Sequence, residues 1–377
     1  MLVMILQIEN MRQHKIIISG GGSGGHIFPA VAIAKSMKEK EDNIDFLFVG
    51  ASDKMEMDKV PNEGFKIIGL WISGFHRGKI LRNLLFPIKL IFSLVKSFFI
   101  IKKFKPDLVI GTGGFASGPI LFIASKLNIP TLIQEQNSYA GITNKILSNH
   151  VDLICVAYDK MDRFFPKNKI IIAGNPVRKN IVLMQNNQHE IKRLFNLNNE
   201  FKTILIIGGS LGAKTINETI ANGLEKFREN NLNIIWQTGE SYSDLAVELV
   251  KDLNVSGITT HTFIKKIELA YQAADIIVSR AGAIAISELC VVGKPVILVP
   301  SPNVAENHQY KNAQSLVNKN AAILVKDSDS NNKLVEEIIK LKNNSDLMNE
   351  LSLNIKKLEY ENASSIIANY AFDLIKK

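Results

Sequence analysis

Short apolar runs alternate with longer stretches of helical spacing along nearly the whole chain. In the first half the runs at 15–19, 45–50, 65–71, 107–113, 130–136, 152–157 and 169–174 predict strands. In the second half the runs at 203–208, 233–239, 257–264, 275–280, 295–300 and 321–325 repeat the rhythm. The runs are continuously apolar, as expected of strands covered on both faces, and strands that alternate with helices favour parallel sheets. The pattern predicts an α/β protein of two Rossmann-like, doubly wound parallel-sheet domains facing a cleft. A break at Gly174-Asn175-Pro176 divides it into domains 1–176 and 177–363. A last helical pattern, 364–377, is free to pack back on the first domain. At 377 residues the chain exceeds one ordinary core, which agrees with two.

Glycine-rich turns follow the first strand of each half. Lys15–Ser19 runs into Gly20-Gly21-Gly22-Ser23-Gly24-Gly25-His26, and Thr203–Ile207 runs into Gly208-Gly209-Ser210-Leu211-Gly212-Ala213. A third cluster, Gly111-Thr112-Gly113-Gly114, ends the strand at 107–113. Bare backbone at the start of a helix offers N–H groups and a positive dipole end to phosphate. Gly20, Gly22 and Gly25 fit a dinucleotide fingerprint, but the second strand ends Phe48-Val49-Gly50, without the acid that would hold a ribose. A Walker loop is excluded because no Lys-Ser/Thr pair follows the glycines. Pro29 predicts a helix with proline in its first turn. His26 is the histidine placed at such a turn; it reads either as a general base or as a helix-capping side chain.

Polar side chains cluster where strands of this kind present ligand sites. Gln134-Glu135-Gln136-Asn137 follows an apolar strand. Ser279-Arg280-Ala281-Gly282 leads into a helix whose Glu288 could accept two ribose hydroxyls or serve as a surface charge. Pro300-Ser301-Pro302 and Glu306-Asn307-His308-Gln309 carry amides suited to a sugar. Asp327-Ser328-Asp329 has the D-x-D form of a metal site, but its place before a helix predicts capping instead. No other cluster has metal-ligand spacing, so neither metal nor cofactor is expected.

Charge adds a partner class. A net charge of +9 favours acidic partners, such as a nucleotide sugar or an anionic membrane. Nucleic acid is disfavoured, since no recognition motif accompanies the charge. In 79–105, Leu81, Leu84, Leu85, Ile88, Phe92, Val95 and Phe99 lie at helical spacing, and Arg82, Lys89, Lys96 and Lys103 recur every seventh residue. The segment is too interrupted by charge to span a bilayer. It reads as part core and part contact with an anionic membrane surface, through Arg82, Leu85, Lys89, Phe92 and Lys96. Cys155 and Cys290 are expected to be buried free thiols. Residues 1–13 lack the features of a signal peptide, and Met11 is an alternative start.

The blocks GGGSGGHIFPA, GTGGFASGP, QEQN with AGITNK, GNPVR, GGSLGA, SRAGAIAISE and NHQYKNA, in this order, resemble the bacterial peptidoglycan transferases that add N-acetylglucosamine to lipid I and so make lipid II. The resemblance covers nearly the whole chain from Lys15. It implies a GT-B glycosyltransferase fold, an inverting and metal-independent transfer, and a peripheral enzyme on the cytoplasmic face of the inner membrane, with a place in a wall-synthesis complex. It implies that UDP-N-acetylglucosamine is met by Arg178, Ser210, Ile264, Gly282, Ala283, Ile284, Ala285, Ile286, Ser287, Glu288 and Gln309. Ser23, Gly24, Gly25 and Asn137 would close on the donor from the first half. Gly113 and Gly114 would approach the acceptor pyrophosphate, with His26 as base and Glu135 as the second candidate. Gln134 stands where the family usually has histidine, Ala281 and Ala285 where hydroxyl residues are common, and His308 where glutamine can occur. A related enzyme with a diacylglycerol acceptor, a UDP-sugar epimerase and a non-catalytic nucleotide-sugar binder are the competing readings.

Overall fold

A computed structural model describes residues 13–74, 83–182, 188–209, 211–253, 256–304 and 307–376. Met1, Met11, Leu81, Arg82, Ser210 and Glu306, all singled out above, lie outside the described residues. The strands are β1 (His14–Ser19), β2 (Ile44–Ala51), β3 (Lys66–Leu70), β4 (Leu108–Gly111), β5 (Thr131–Glu135), β6 (Leu153–Val156) and β7 (Ile170–Ile172). They continue as β8 (Lys202–Ile207), β9 (Leu232–Gln237), β10 (Ile258–His261), β11 (Ile276–Ser279), β12 (Val296–Leu298) and β13 (Ile323–Leu324). Each falls on one of the apolar runs read from the sequence. Two compact units result: one runs to Val177 and takes back the chain from Asn362 onward, and the other is Arg178–Glu361.

The two sheets share one plan. The first has the order β3-β2-β1-β4-β5-β6-β7 and the second β10-β9-β8-β11-β12-β13, with every pairing parallel. In each, the chain winds outward one way from its first strand, then returns to that strand's other edge and winds the opposite way. That reversal is the doubly wound pattern.

Period-two alternation places a core on each face of the first sheet. Ile17, Val49, Val109, Ile133 and Ile154 pack with Ile100, Ile101, Ile120 and Leu121 from the helices Phe86–Phe104 and Ser117–Lys126. Ile16, Ile18, Phe48, Leu108 and Leu132 face the other way, onto Ile27, Ile33 and Met37 of the helix Gly24–Lys40. Ile367, Ala368 and Ala371 of the final helix, Ala363–Ile375, complete that second core. In the second unit Ile204, Ile206, Ile234, Trp236 and Val278 meet Ile216, Ile220 and Phe227 of the helix Lys214–Glu229. The Trp236 indole is fully buried and donates to Asn217 Oδ1 at 3.0 Å, so its polar atom is satisfied.

The helix after β1 begins earlier than its proline suggests. Gly24 is its first residue, so Pro29 lies in the second turn and His26 in the first. The glycines set the start because the chain must turn directly off the strand; proline is then accommodated one turn later.

Cys155 on β6 and Cys290 in the helix Ala283–Val292 are free and buried. Burial pushes both thiols up from 9.0 to about 12. The fold therefore favours the neutral thiols. Their contribution to stability is complete below about pH 9 and is lost as pH rises toward the folded value. The native protein is expected to leave both thiols unmodified by an aromatic disulfide reagent at pH 8 and to release two equivalents of thiolate once unfolded in guanidinium; rapid native labelling would contradict this burial.

Candidate active site

The winding reversals occur between β1 and β4 in one unit and between β8 and β11 in the other. At such a switch point the connections leave the carboxyl ends of the strands in opposite directions and open a crevice above them. The four glycine-containing turns singled out in the sequence lie there, after β1, β4, β8 and β11. The helices that follow, Gly24–Lys40, Ser117–Lys126, Lys214–Glu229 and Ala283–Val292, have no acid in their first turns and no side-chain cap. Their positive ends are uncompensated by their own sequence, an arrangement that suits anionic groups.

In the first unit the two glycine turns interlock. Gly113 and Gly114 both have positive φ, at +96° and +81°. A Cβ on Gly114 would collide with the Gly21 carbonyl, and one on Gly113 would press on His26 Nδ1 at 2.9 Å. The missing side chains let the β4 turn close on the β1 turn and on the imidazole. His26 Nδ1 lies 2.9 Å from the Thr112 carbonyl and 3.1 Å from Gln136 Oε1. Both partners are acceptors, so Nδ1 carries the proton and the neutral ring keeps a lone pair on Nε2. Among the described residues no hydrogen bond to Nε2 is formed, which leaves this nitrogen as a proton acceptor.

The polar strand end 134–137 holds this arrangement from below. Gln136 Nε2 donates to the Thr112 carbonyl at 2.7 Å and also bonds Gln134 Oε1. Gln134 Nε2 donates to Asn175 Oδ1 at 2.8 Å, and Asn175 Nδ2 donates to the Gln136 carbonyl at 3.0 Å. Gln134 is thus a buried link between Gln136 and Asn175. Glu135 is 1% exposed. Its Oε1 accepts from Asn137 N at 3.0 Å and Asn137 Nδ2 at 3.2 Å, and its Oε2 from Gly141 N and Asn144 Nδ2, both at 2.9 Å. Four N–H donors occupy the carboxylate, so it braces the loop 135–144 and has little room to receive a further proton.

In the second unit Glu288 is buried rather than a surface charge. Arg178 grips it through Nε to Oε1 at 2.7 Å and Nη2 to Oε2 at 2.8 Å, and Tyr271 Oη donates to Oε2 at 3.3 Å. Burial works against the half-exposed Arg178 cation, but the hydrogen bonds and charge of Glu288 outweigh it and raise its pKa. Burial, then the charge of Glu288, holds the Tyr271 phenol well above its ordinary value, so it remains a donor. Gly282 opens the helix Ala283–Val292 with open space where a side chain would stand. Ala283, Ile284, Ala285 and Ser287 are partly exposed, whereas the Ile286 side chain is buried and its amide donates to the Gly282 carbonyl at 2.9 Å. Any ligand contact by Ile286 is therefore restricted. Gln309 Oε1 accepts from Ser301 N at 2.8 Å, which fixes the loop after β12.

With this geometry in place, comparison with known proteins is decisive. Residues 16–156 match the glycosyltransferase family 28 N-terminal domain and residues 203–366 the family 28 C-terminal domain. The chain belongs to glycosyltransferase family 28. It is 51% identical over 368 residues to the UDP-N-acetylglucosamine–N-acetylmuramyl-(pentapeptide) pyrophosphoryl-undecaprenol N-acetylglucosamine transferase of Flavobacterium psychrophilum, covering 97% of this chain and 99% of that one. The transferase of the same name from Parabacteroides distasonis is 47% identical, covering 97% and 100%. The crystal structure of Acinetobacter baumannii MurG superposes with a TM-score of 0.80 at 27% identity, over 96% of this chain and 100% of that one. UDP-GlcNAc 2-epimerase from Neisseria meningitidis shares the fold at a TM-score of 0.65 and 15% identity, covering 95% and 100%.

Several residues that shape this family 28 site escaped the sequence reading. Gln237, at the end of β9, donates from Nε2 to the Gly209 carbonyl at 3.0 Å and accepts the Ile264 amide on Oε1 at 2.9 Å. It ties the β8 turn to Ile264, and its only sequence signal is a polar residue ending an apolar strand. Asp327 is not a helix cap: its carboxylate accepts from Arg280 Nη1 and from Thr215 Oγ1. Asp329 accepts from Ser328 and Lys333 instead of capping its helix. Among the described residues no group of three or more His, Cys, Asp or Glu side chains converges as a metal site.

The basic stripe is oriented differently from expectation. Lys96 Nζ donates to the Gly69 carbonyl at 2.7 Å, and Lys89 Nζ lies 5.6 Å over the Trp71 ring. Both lysines are drawn back onto β3 and the residue that follows it. The outward stripe of the helix Phe86–Phe104 is apolar, with Ile88, Ile91, Phe92, Val95 and Phe99 all more than half exposed and Leu85 exposed just before it. The face turned inward is Ser93, Ser97, Ile100 and Ile101. Among the described residues no helix is long and apolar enough to cross a membrane.

Arg178→Ala would leave the buried Glu288 carboxylate with Tyr271 alone. A fully buried broken pair costs about 3–5 kcal/mol, and the half-exposure of Arg178 reduces this to about 1–2 kcal/mol. Arg178→Lys should recover little of the loss, because the two-pronged contact needs a guanidinium. Urea unfolding of the three proteins checks this; an unchanged midpoint for Arg178→Ala would contradict the pairing.

Proposed function

We propose that this family 28 transferase moves N-acetylglucosamine from UDP-N-acetylglucosamine to the muramyl 4-hydroxyl of undecaprenyl-pyrophosphoryl-N-acetylmuramyl-pentapeptide, forming a β-1,4 bond. The observation that carries the reading is the His26 imidazole, in the first turn of an uncapped helix, with Nδ1 committed as donor and Nε2 open. Near-full-length identity to transferases of that name supports the same substrates.

The chemistry is a single displacement with inversion. The acceptor hydroxyl oxygen attacks C1 of the α-linked sugar while its proton passes to His26 Nε2, and the C1–oxygen bond to UDP breaks with the electron pair leaving on the β-phosphate. His26 is preferred to Glu135 because the carboxylate of Glu135 already accepts four N–H groups. The Thr112 carbonyl stabilises the imidazolium that results, by accepting its Nδ1–H. The donor belongs to the second unit. The uncapped start of the helix Ala283–Val292 meets its pyrophosphate, Glu288 its ribose and Ile264 its uracil. Held by Arg178 through both oxygens and by Tyr271 through Oε2, the Glu288 carboxylate keeps its remaining lone pairs for ribose hydroxyls. Arg178 is thus suited both to orient Glu288 and to meet the leaving diphosphate. Ser23, Gly24, Gly25 and Asn137 are assigned to the donor from the first unit, Gly113 and Gly114 to the acceptor pyrophosphate, and Gln309 to the donor sugar.

The apolar stripe Leu85, Ile88, Ile91, Phe92, Val95 and Phe99 is the membrane-contacting surface in this reading. It seats the enzyme peripherally on the membrane face that carries the lipid-linked acceptor, the cytoplasmic face. Lys89 and Lys96 contribute by holding the helix to its unit.

Release of UDP from UDP-N-acetylglucosamine is expected only when a short-chain lipid I analogue is present, with a disaccharide product, and to persist in EDTA. His26→Gln should lower kcat by about 10²–10⁴-fold while UDP affinity, measured by calorimetry, stays within a factor of about two. Turnover on diacylglycerol, or isomerisation of the sugar without acceptor, would reject the assignment. Replacing Phe92 and Phe99 together by serine should weaken binding to anionic vesicles by at least about tenfold and leave turnover of a soluble acceptor analogue intact. Unaltered vesicle binding would remove this helix from the membrane contact.

A further inference from the structure

Glu56 is a fully buried acid that the reaction as described does not use. It opens the helix Glu56–Asn62, which follows β2. Among the described residues no Lys, Arg or His pairs with it. Its partners are two backbone amides: Oε1 accepts from Ala51 N at 2.9 Å and Oε2 from Gly22 N at 3.0 Å. Charge-assisted bonds of this kind are roughly twice as strong as neutral ones. The sequence leaves room for the carboxylate, since a Cβ on Gly21 would overlap Oε1 and one on Gly50 would meet Cγ at 2.5 Å.

The carboxylate sits where the turn would otherwise offer an amide to a ligand. In a dinucleotide-binding fold the turn after the first strand gives its N–H groups to a pyrophosphate. Here Gly22, at φ +83°, gives its amide to Glu56 instead. Further along the same turn, the Ser23 carbonyl accepts the amides of His26 at 3.1 Å and Ile27 at 3.2 Å, so the seat of the imidazole is continuous with the backbone that Glu56 holds. The Gly114 turn rests on Gly21, which couples the second glycine turn to the same carboxylate.

We infer that Glu56 is a positioning residue for the transfer: it clamps the Gly20–Gly25 turn through the Gly22 amide, fixes the base of the helix that carries His26, and denies that amide to a substrate phosphate. This rests on the assignment of His26 as the base. The clamp also accounts for a G-x-G-x-x-G turn in a chain with no dinucleotide: the acid that reaches the turn comes from the helix after β2 and binds the backbone, not a ribose.

The test uses the full chain and Glu56→Gln, which keeps the shape but replaces one acceptor oxygen by an NH₂ group. Hydrogen exchange of the segment 20–27 should speed up by at least about tenfold at Gly22. The affinity for UDP alone should stay within about twofold, since the assigned uridine and diphosphate contacts are in the other unit. With lipid I as acceptor, kcat should fall by about tenfold and KM by less, the loss expected when a positioned base is loosened rather than when binding is removed. Gly21→Ala, which displaces the carboxylate without removing it, should give the same set of changes, and the double variant should be no worse than either single one. Unchanged exchange at Gly22 in folded Glu56→Gln would overturn the clamp, and faster exchange with unchanged kcat would overturn the positioning role. If Glu56→Gln does not fold, Gly21→Ala decides on the same readouts. Absence of acceptor-dependent UDP release by the unaltered enzyme would instead reject the function assigned to the site, while the exchange measurement still judges the clamp.

Discussion

The reversal of winding beside β1 and β8 is the constraint on which the rest of the molecule depends. A parallel sheet wound in one direction would cover the carboxyl end of every strand with its own crossover. Winding both ways from one strand leaves two adjacent strand ends bare, and the chain has to leave each of them by a sharp turn into a helix. Only glycine fits where one such turn is pressed against the next, as Gly114 is against Gly21. The helices that leave these turns carry no acid in their first turn and no side-chain cap to neutralise the dipole. An arrangement suited to anions is therefore a by-product of topology, and it occurs at the switch point of each unit.

What differs between the units is how the acids near these turns are held. Glu135 and Glu56 are buried on backbone and amide N–H groups, whereas Glu288 is held by a guanidinium and a phenol. An N–H clamp is rigid and leaves a carboxylate with nothing to exchange. A half-exposed arginine is less confined, and if it swings away the carboxylate oxygens can accept from other donors. On that physical ground Glu135 and Glu56 shape the turns around His26, and Glu288 is the acid with freedom to meet a ligand.

The sequence was most informative where a property is local. Apolar runs located every strand, because burial on both faces leaves no room for polar residues, and the glycine turns located the switch points. Long-range pairing was not legible. Nothing around Glu56 in the sequence points to Gly22, thirty-four residues away, and Arg178 is separated from Glu288 by 110 residues. Asp327 looked like a cap because its neighbours form a helix, yet Arg280 reaches it across the sheet. The polar strand end at Gln134 to Asn137 stands out in the sequence, but not its partners: Gln134 reaches Asn175, Glu135 the amides of Gly141 and Asn144, and Gln136 the Thr112 carbonyl.

The helix Phe86–Phe104 shows why periodicity alone cannot tell inside from outside. Its large apolar residues and its lysines recur with helical spacing, and a helix of that pattern ordinarily turns the apolar stripe inward. Here the inward positions include two serines, Ser93 and Ser97, both fully buried, with Ser93 Oγ donating to the Trp71 carbonyl at 3.0 Å. Small residues allow the helix to approach its neighbours closely, and long lysine stems reach back to β3 and Trp71 along its flank. Ile88, Ile91, Phe92, Val95 and Phe99 are then left on the outside. An outward row of isoleucine, phenylalanine and valine has a solvation cost in water, which the edge-on packing of Phe92 against Trp71 offsets only in part, since Phe92 stays 54% exposed. Contact with an apolar medium would offset the rest, which is the role that the proposed membrane contact gives this face.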